Sequence, residues 1–171
     1  MTLINIKKRI ASKELELTQG KYAIVDEEDY NWLNQRRWYY DIFAGARSTS
    51  YERGAKNPIR LSLSRYIMDA KKGEVVDHIN HNKLDNRKSN LRICTQSQNC
   101  GNRLKNRFAK QSLFKGVRPS TKTKERWRAT INKDGKPRNL GTYPTEELAA
   151  KAYDKAAIEV YGEFACLNFK E

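Results

Sequence analysis

The chain has 171 residues, with 34 Lys and Arg against 20 Asp and Glu, and therefore a formal charge of +14. No apolar run approaches the ~20 residues that a helix needs to span a bilayer, which argues against a helical membrane protein. The length suits one domain or two small ones. The excess of positive charge indicates a polyanionic partner, and nucleic acid is the class that we expect.

The N-terminal stretch lacks the apolar core of a signal peptide, so we expect a cytoplasmic protein. The three cysteines, Cys94, Cys100 and Cys166, are odd in number, which argues against a disulfide framework. They form no Cys-x-x-Cys pair, so no structural zinc is expected.

Residues 1–60 alternate between apolar and polar side chains and predict a β-rich N-terminal region. The predicted strands cover residues 3–6, 15–18, 22–25 and 38–40. A helical turn is predicted from Asp26, and residues 44–57 are predicted to form a basic loop.

Residues 61–105 predict a second, compact region. Helical spacing covers Leu61 to Ala70, and two short strands at 75–79 and 90–94 flank the polar loop 80–88. Thr95 lies three residues before Gln98, which is the spacing of a capping box at a helix start. The order is strand, loop, strand, helix.

Residues 106–113 read as a basic linker, and residues 114–169 predict a three-stranded antiparallel sheet packed on one helix. Asp134-Gly135 is a strong hairpin turn between the second and third strands. Thr145 can cap the helix, and Gly162 can end it. Residues 101–138 carry 13 basic and 2 acidic side chains, so most of the excess charge lies on the linker and the sheet.

Alternation along these strands separates an apolar face from a polar, basic one. Val117, Ala129 and Ile131 belong to the apolar face. The other face carries the side chains that we expect to contact nucleic acid: Arg118, Arg126, Arg128, Thr130, Asn132 and Asn139. A sheet with a basic face can lie in the DNA major groove, so double-stranded DNA is the expected partner.

Asp77 and His78 end the strand at 75–79, and this pair suggests hydrolytic chemistry. A His beside a carboxylate can act as a general base at neutral pH. Asp77 and Asn99 could supply hard oxygen ligands, which suit Mg²⁺ or Mn²⁺. A base and a divalent ion among cationic side chains are the groups that phosphodiester hydrolysis requires.

Residues 76–102 (VDHINHNKLDNRKSNLRICTQSQNCGN) resemble the HNH endonuclease family, in particular its phage and intron-associated homing members. The three motif positions fall at His78, Asn90 and Asn99. The resemblance implies a ββα-metal unit in which His78 is the general base, Asp77 and Asn99 bind the metal, and Asn90 braces the loop.

This stretch departs from the HNH pattern at two positions. His81 stands where the family commonly has Gly, and we expect it to be an exposed loop residue or a phosphate contact. Ser64 precedes Arg65 where related phage sequences tend to have His-Arg.

Residues 114–169 are similar to the AP2/ERF DNA-binding domain. The matching segments are FKGVR at 114–118, WRA at 127–129, LGTY at 140–143, EELAAKAYD at 146–154 and GEFACLNF at 162–169. The resemblance implies that the sheet contacts DNA, with Arg118 as a direct contact. It does not carry base specificity to Thr130, Asn132 or Asn139.

The sequence therefore predicts an α+β protein that is a metal-dependent DNA endonuclease of homing type, acting in a bacterial or phage-infected cell. A sequence-specific DNA-binding regulator without nuclease activity is the alternative. An RNA-binding module is disfavoured, because no aromatic RNA-binding platform is evident. No membrane association and no obligate protein partner are inferred.

Overall fold

The computed structural model describes residues 11–50, 58–105, 111–121, 123 and 125–169. The architecture is mixed α/β, with small antiparallel sheets and few helices. The chain divides into two compact units, Met1–Ile93 and Cys94–Glu171. The strand predicted at 3–6 lies outside the described residues. Across the described ranges, no helix has the length and apolar character to cross a membrane.

The described residues of the first unit form three small sheets and two short α-helices. The antiparallel pair of β1 and β2 leads directly into α1, the antiparallel sheet β3-β4-β5 leads into α2, and β6 and β7 form a two-stranded sheet. The elements are β1 (Ser12–Glu16), β2 (Tyr22–Asp26), α1 (Glu27–Leu33), β3 (Tyr39–Asp41), β4 (Gly45–Ser50), β5 (Ile59–Ser62), α2 (Leu63–Ile67), β6 (Val75–His78) and β7 (Leu91–Cys94).

The core of the first unit follows from alternation along β1 and β2. Leu15 of β1 and its cross-strand partner Ala23 point inward together with Val25, and all three are buried. Leu33 and Trp38 complete the centre of this core, where the Trp38 Nε1 atom donates a hydrogen bond of 2.9 Å to the Leu33 carbonyl oxygen.

The prediction of a loop over residues 44–57 is wrong for its first part. Residues 45–50 form β4, which lies between β3 and β5. The strand has little apolar character, so its sequence shows no apolar alternation from which a strand could be predicted. The helix predicted from Leu61 begins at Leu63 instead, because residues 59–62 pair with β4.

In the part of the second unit that the structure describes, there are two α-helices and one antiparallel sheet, in the order β10-β9-β8. Thr95 forms the predicted capping box with Gln98, and the Asp134-Gly135 turn has φ of 50° and 77° at its two residues. The elements are α3 (Gln96–Asn102), β8 (Val117–Pro119), β9 (Trp127–Lys133), β10 (Lys136–Tyr143) and α4 (Glu146–Tyr161).

Small side chains let α4 pack closely on the sheet. Ala149 and Ala150 of the helix are fully buried against Val117 and Ala129, in a cluster that Trp127 borders. Thr145 caps the helix by accepting a hydrogen bond of 3.2 Å from the Leu148 backbone N–H. The predicted apolar face of the three-stranded sheet is therefore confirmed.

Replacing Gly116 with Ala should destabilise the second unit more than replacing Gly135, although both glycines have φ near +75°. Positive φ costs an Ala about 1–2 kcal/mol at either position. A Cβ atom at Gly116 would also lie 2.0 Å from the Tyr153 ring, whereas at Gly135 it meets nothing within 4 Å. Overpacking of this kind costs roughly 1–3 kcal/mol more. Urea denaturation followed by circular dichroism measures the free energy of unfolding of both variants. Equal losses of stability in the two variants would contradict the close contact between Gly116 and the Tyr153 ring.

Candidate active site

His78 ends β6 as a half-buried side chain. Its Nε2 atom lies 3.3 Å from Oδ1 of Asn86. Because a carboxamide oxygen can only accept, this contact places the proton on Nε2 and makes Nδ1 the basic nitrogen of the neutral ring. Burial lowers the pKa of His78 below its ordinary value, and the contact with Asn86 partly opposes that shift. A lowered pKa keeps the imidazole neutral at pH 7, which is the form that a general base needs.

Asn90 joins the two ends of the polar loop that follows His78. Its Oδ1 atom accepts a hydrogen bond of 3.0 Å from the Asn80 N–H, and its Nδ2 donates to the Asp85 carbonyl oxygen at 2.8 Å. The Asn90 backbone oxygen accepts from the Ile79 N–H at 2.9 Å. The side chain is buried, so these bonds are shielded from water.

Asp85 is a buried carboxylate inside the same loop. Arg87 donates to both of its oxygens, at 2.8 and 2.6 Å, and Asn80 donates to Oδ2 at 2.8 Å. The hydrogen bond from Arg87 is the main reason that the pKa of Asp85 is lowered, with burial opposing it. The carboxylate therefore stays charged and acts as an internal support of the loop.

The loop is also fixed to β2. The Ile24 N–H donates to the Leu84 carbonyl oxygen, and the Asn86 N–H donates to the Ile24 carbonyl oxygen, both at 2.7 Å. Two residues further on, the Lys88 N–H donates to Asp26 Oδ2 at 2.8 Å. The backbone of the N-terminal hairpin thus sets the position of Asn86 and, through it, the orientation of the His78 ring.

Asp77 precedes His78 and is buried beside Arg92 of β7. Nε and Nη2 of Arg92 lie 3.0 and 2.9 Å from Asp77 Oδ2. Within the described ranges, no group of three or more His, Cys, Asp or Glu side chains is arranged to hold a metal ion. Asp77 is still the hard oxygen donor that Mg²⁺ accepts, and this ion commonly uses one or two carboxylates and keeps several waters. A divalent ion fits here if it shares the carboxylate with Arg92.

Asn99 lies on α3, in the second unit, and its assignment as a metal ligand stays a prediction. His81 is exposed and has a φ of +64°. That left-handed conformation explains why Gly is suited to this position.

A cleft of about 260 Å³ borders His78. Arg65 and Lys83 line it, as do Ser64 and Val76. Arg65 also donates hydrogen bonds to the carbonyl oxygens of Ala70 and Lys71, at 2.9 and 2.8 Å, which ties α2 to the turn before β6. The cleft offers a cationic edge within the first unit where a phosphate could approach the imidazole.

The sheet of the second unit brings some of the predicted DNA contacts together. Arg118, Arg128 and Thr142 are cross-strand partners and form one row on the face opposite the core, where Thr130 and Asn139 form the next pair. The Arg128 Nε atom is buried without a hydrogen-bond partner among the described residues.

Arg126 is exposed just before β9, at one end of this face, and its carbonyl oxygen accepts from the Ser120 N–H. Asn132 is exposed toward the far end of the strand, opposite Pro137. These two residues flank the row and do not join it.

The sequence did not reveal three residues of these sites. Asn86 is one of several Asn residues in its loop, and no spacing marks it as the partner of His78. Arg92 could have been found by pairing the two flanking strands, which places it beside Asp77. The place of Thr142 beside Arg128 depends on the register of β10. That register shifts between Asn139 and Gly141, so simple alternation of side chains does not predict it.

Comparison with known proteins connects this geometry to a family. A sequence model described as HNH endonuclease matches residues 69–101. An uncharacterized HNH endonuclease of Acanthamoeba polyphaga mimivirus, L560, is 32% identical over 151 residues, which cover 88% of this chain and 76% of that protein. The chain belongs to the HNH endonuclease family. The predicted resemblance is confirmed for this part, and family membership supports a nuclease.

Two other relatives match shorter stretches of the chain. Protein 3.8 of Escherichia phage T7 is 34% identical over 94 residues, or 55% of the chain and 75% of the phage protein. Dehydration-responsive element-binding protein 1G of Oryza sativa subsp. indica is 41% identical over 71 residues, or 40% of the chain and 31% of the plant protein. The AP2/ERF likeness is therefore partial.

Replacing Asn90 with Ala tests the hydrogen bonds that hold the loop after His78. The Asn80 N–H loses its acceptor, so its exchange with solvent should accelerate at least about fivefold, because one buried hydrogen bond is worth about 1 kcal/mol or more. The Ile79 N–H bonds to the Asn90 backbone oxygen and provides the internal control, since it should keep its protection. NMR hydrogen exchange resolves both amides, and an unchanged rate at Asn80 contradicts the bracing contact.

Proposed function

We propose that the protein is a metal-dependent DNA endonuclease of homing type. The first unit provides a His78 general base, and the second unit binds duplex DNA through its sheet. The observation that carries the proposal is the contact between His78 and Asn86, which selects Nδ1 as the basic nitrogen in a chain of the HNH endonuclease family. The relatives in a giant virus and a phage support a role in a virus-infected cell.

The proposed reaction is hydrolysis of one phosphodiester bond. His78 Nδ1 accepts a proton from a water molecule, whose oxygen attacks the phosphorus atom. The bond from phosphorus to the 3′-oxygen breaks, and that oxygen takes up a proton. The products are a 3′-hydroxyl and a 5′-phosphate end. Asn90 keeps the loop after His78 in place, and Asn86 keeps the imidazole in the reactive tautomer.

HNH nucleases are generally metal-dependent, and Asp77 with Asn99 is the ligand pair that we propose here. Both offer oxygen atoms, which fit Mg²⁺ or Mn²⁺ better than zinc. A bound divalent ion would stabilise the negative charge that develops on the phosphate and on the leaving oxygen. Arg92, by holding Asp77 Oδ2, fixes the carboxylate in one orientation.

Replacing His78 with Ala should abolish cleavage and leave binding to duplex DNA nearly intact, because the base is lost while the cationic surface is kept. The matched control is His81→Ala, which removes the other imidazole of the chain and should retain activity within about threefold. The measurement is conversion of supercoiled plasmid to nicked and linear forms with Mg²⁺ or Mn²⁺, with EDTA as the metal control, beside a gel-shift titration.

Cleavage by His78→Ala at the native rate would show that the base is assigned wrongly. The competing function, a DNA-binding regulator without nuclease activity, predicts gel retardation by the native protein with no nicking in either metal.

DNA binding by the second unit is supported by the row Arg118-Arg128-Thr142 and by the likeness to a plant dehydration-responsive element-binding protein. The two arginines are adjacent on neighbouring strands, on the face of the sheet opposite the core. Arg126, Thr130, Asn132 and Asn139 are candidates for further contacts. A sheet face of this kind suits phosphate and base contacts in the major groove.

Replacing both Arg118 and Arg128 with Ala should weaken binding and lower the salt dependence of the affinity. Each lost phosphate contact reduces the slope of log K against log salt by about one. The matched control replaces Lys151 and Lys155 with Ala, because these exposed cations lie on α4, behind the sheet. Fluorescence anisotropy at several salt concentrations gives both slopes. An equal loss in the two double variants would assign DNA binding to net charge alone.

A further inference from the structure

The turn between β3 and β4 exposes two large apolar side chains next to each other. Ile42 is 72% exposed and Phe43 is 81% exposed. Single exposed apolar residues are common on protein surfaces and need no explanation. Two adjacent ones at the tip of a hairpin lose the benefit of burial together, which suggests that a ligand covers them.

The backbone of this turn is held in one conformation. Oδ1 of Asp41 accepts hydrogen bonds from the N–H groups of Phe43 and Ala44, at 2.8 and 2.7 Å. Gly45 closes the hairpin opposite Asp41 and has a φ of +77°, as expected for a three-residue hairpin loop. The two apolar side chains therefore project from a fixed support and not from a flexible loop.

The tip is attached to the loop that follows His78. The Lys83 ammonium group donates a hydrogen bond to the Phe43 carbonyl oxygen. A Cβ atom on Gly45 would lie 2.4 Å from the Lys83 carbonyl oxygen, so the two backbones are in close contact. Ala44, Lys83 and His78 line the same cleft. The apolar tip is thus at the edge of the candidate active site.

Positive charge surrounds this edge. Lys83 and Arg65 line the cleft, and Arg65 also lines an adjoining cavity of about 500 Å³ together with Arg47 and Arg60. Asp69 lines that cavity and Glu74 lines the cleft, so two acidic residues stand against these four cations. Apolar side chains flanked by cations match duplex DNA, in which stacked bases lie between two rows of phosphates.

We propose that Ile42 and Phe43 form a wedge that inserts between stacked base pairs of the DNA bound at His78. Proteins that place apolar side chains between base steps unstack them and kink the duplex. Such a kink would turn the neighbouring phosphate toward the cleft, while Lys83 and Arg65 contact the backbone on either side. The proposal rests on the proposed function, because it assigns a position on the nuclease substrate.

The test uses the full chain and a 30-base-pair duplex that carries 2-aminopurine at every fifth position, in EDTA so that no metal-dependent cutting occurs. Fluorescence of 2-aminopurine rises when the base is unstacked. Saturating native protein should raise the fluorescence at least twofold. The double variant Ile42→Ala/Phe43→Ala should lose at least four fifths of that rise, while its Kd from anisotropy changes less than tenfold. The variant Phe43→Trp should retain the fluorescence rise, because Trp is also a large apolar side chain.

The matched control is Ile158→Ala, because Ile158 is an exposed apolar residue on α4, and this variant should behave like the native protein. The tip residues 42–43 and Ile158 are all exposed to solvent, so every variant should unfold at the melting temperature of the native protein. On plasmid DNA with Mg²⁺, the double variant should nick at least tenfold more slowly.

The two proposals fail in different ways. Unstacking that depends on Phe43, without nicking by the native protein, supports the wedge and overturns the nuclease. Nicking by the native protein with no fluorescence rise, or with an equal rise in the double variant, overturns the wedge. A concentration-dependent dimer of the free protein that the double variant abolishes, with unchanged fluorescence, also overturns it and assigns the tip to self-association.

Discussion

The geometry of the candidate active site depends on one backbone pairing, in which Ile24 of β2 exchanges hydrogen bonds with Leu84 and Asn86. The loop 80–88 contains Leu84 as its sole apolar side chain, and because this residue is only partly buried against the core, hydrophobic burial contributes little to holding the loop. Paired backbone groups, together with the internal bonds of Asn90 and Asp85, take that role. Because Asn86 belongs to the pairing, the strand that fixes the loop also fixes the partner of the His78 imidazole.

Ion pairs balance three buried carboxylates of the first unit, and two of these, Asp77 and Asp85, act on the charge of His78. Asp77 pairs with Arg92, Asp85 with Arg87, and Asp29 with Lys88. Each carboxylate is buried, and a buried charge is tolerated only when it is paired and hydrogen-bonded. The pairs leave little net charge around the imidazole, so a phosphate is not repelled by these acids. Most of the excess positive charge lies elsewhere, on residues 101–138.

Local signals in the sequence predicted the elements that depend on local chemistry. Thr95, Thr145 and the Asp134-Gly135 turn act as predicted, because caps and tight turns are decided within a few residues. The polar strand β4 was missed, since it is held by pairing with two neighbours and not by an apolar face. The contact of Asp26 with Lys88 spans 62 residues, and only the folded chain brings them together. His78 and Asn90 could be assigned from the HNH pattern, whereas Asn86 required the structure.

The HNH sequence pattern covers residues 69–101, yet the residues that hold it in place lie outside this range. Ile24 and Asp26 support the loop from β2, and Gly45 packs on the Lys83 backbone from β4. A segment of this size buries too little apolar surface to fold alone, since chains below about 40 residues usually need a metal, disulfides or a partner. Here the N-terminal strands are that partner. The first unit is therefore better described as one folded body, in which the preceding hairpins give the HNH segment up to Ile93 its rigidity.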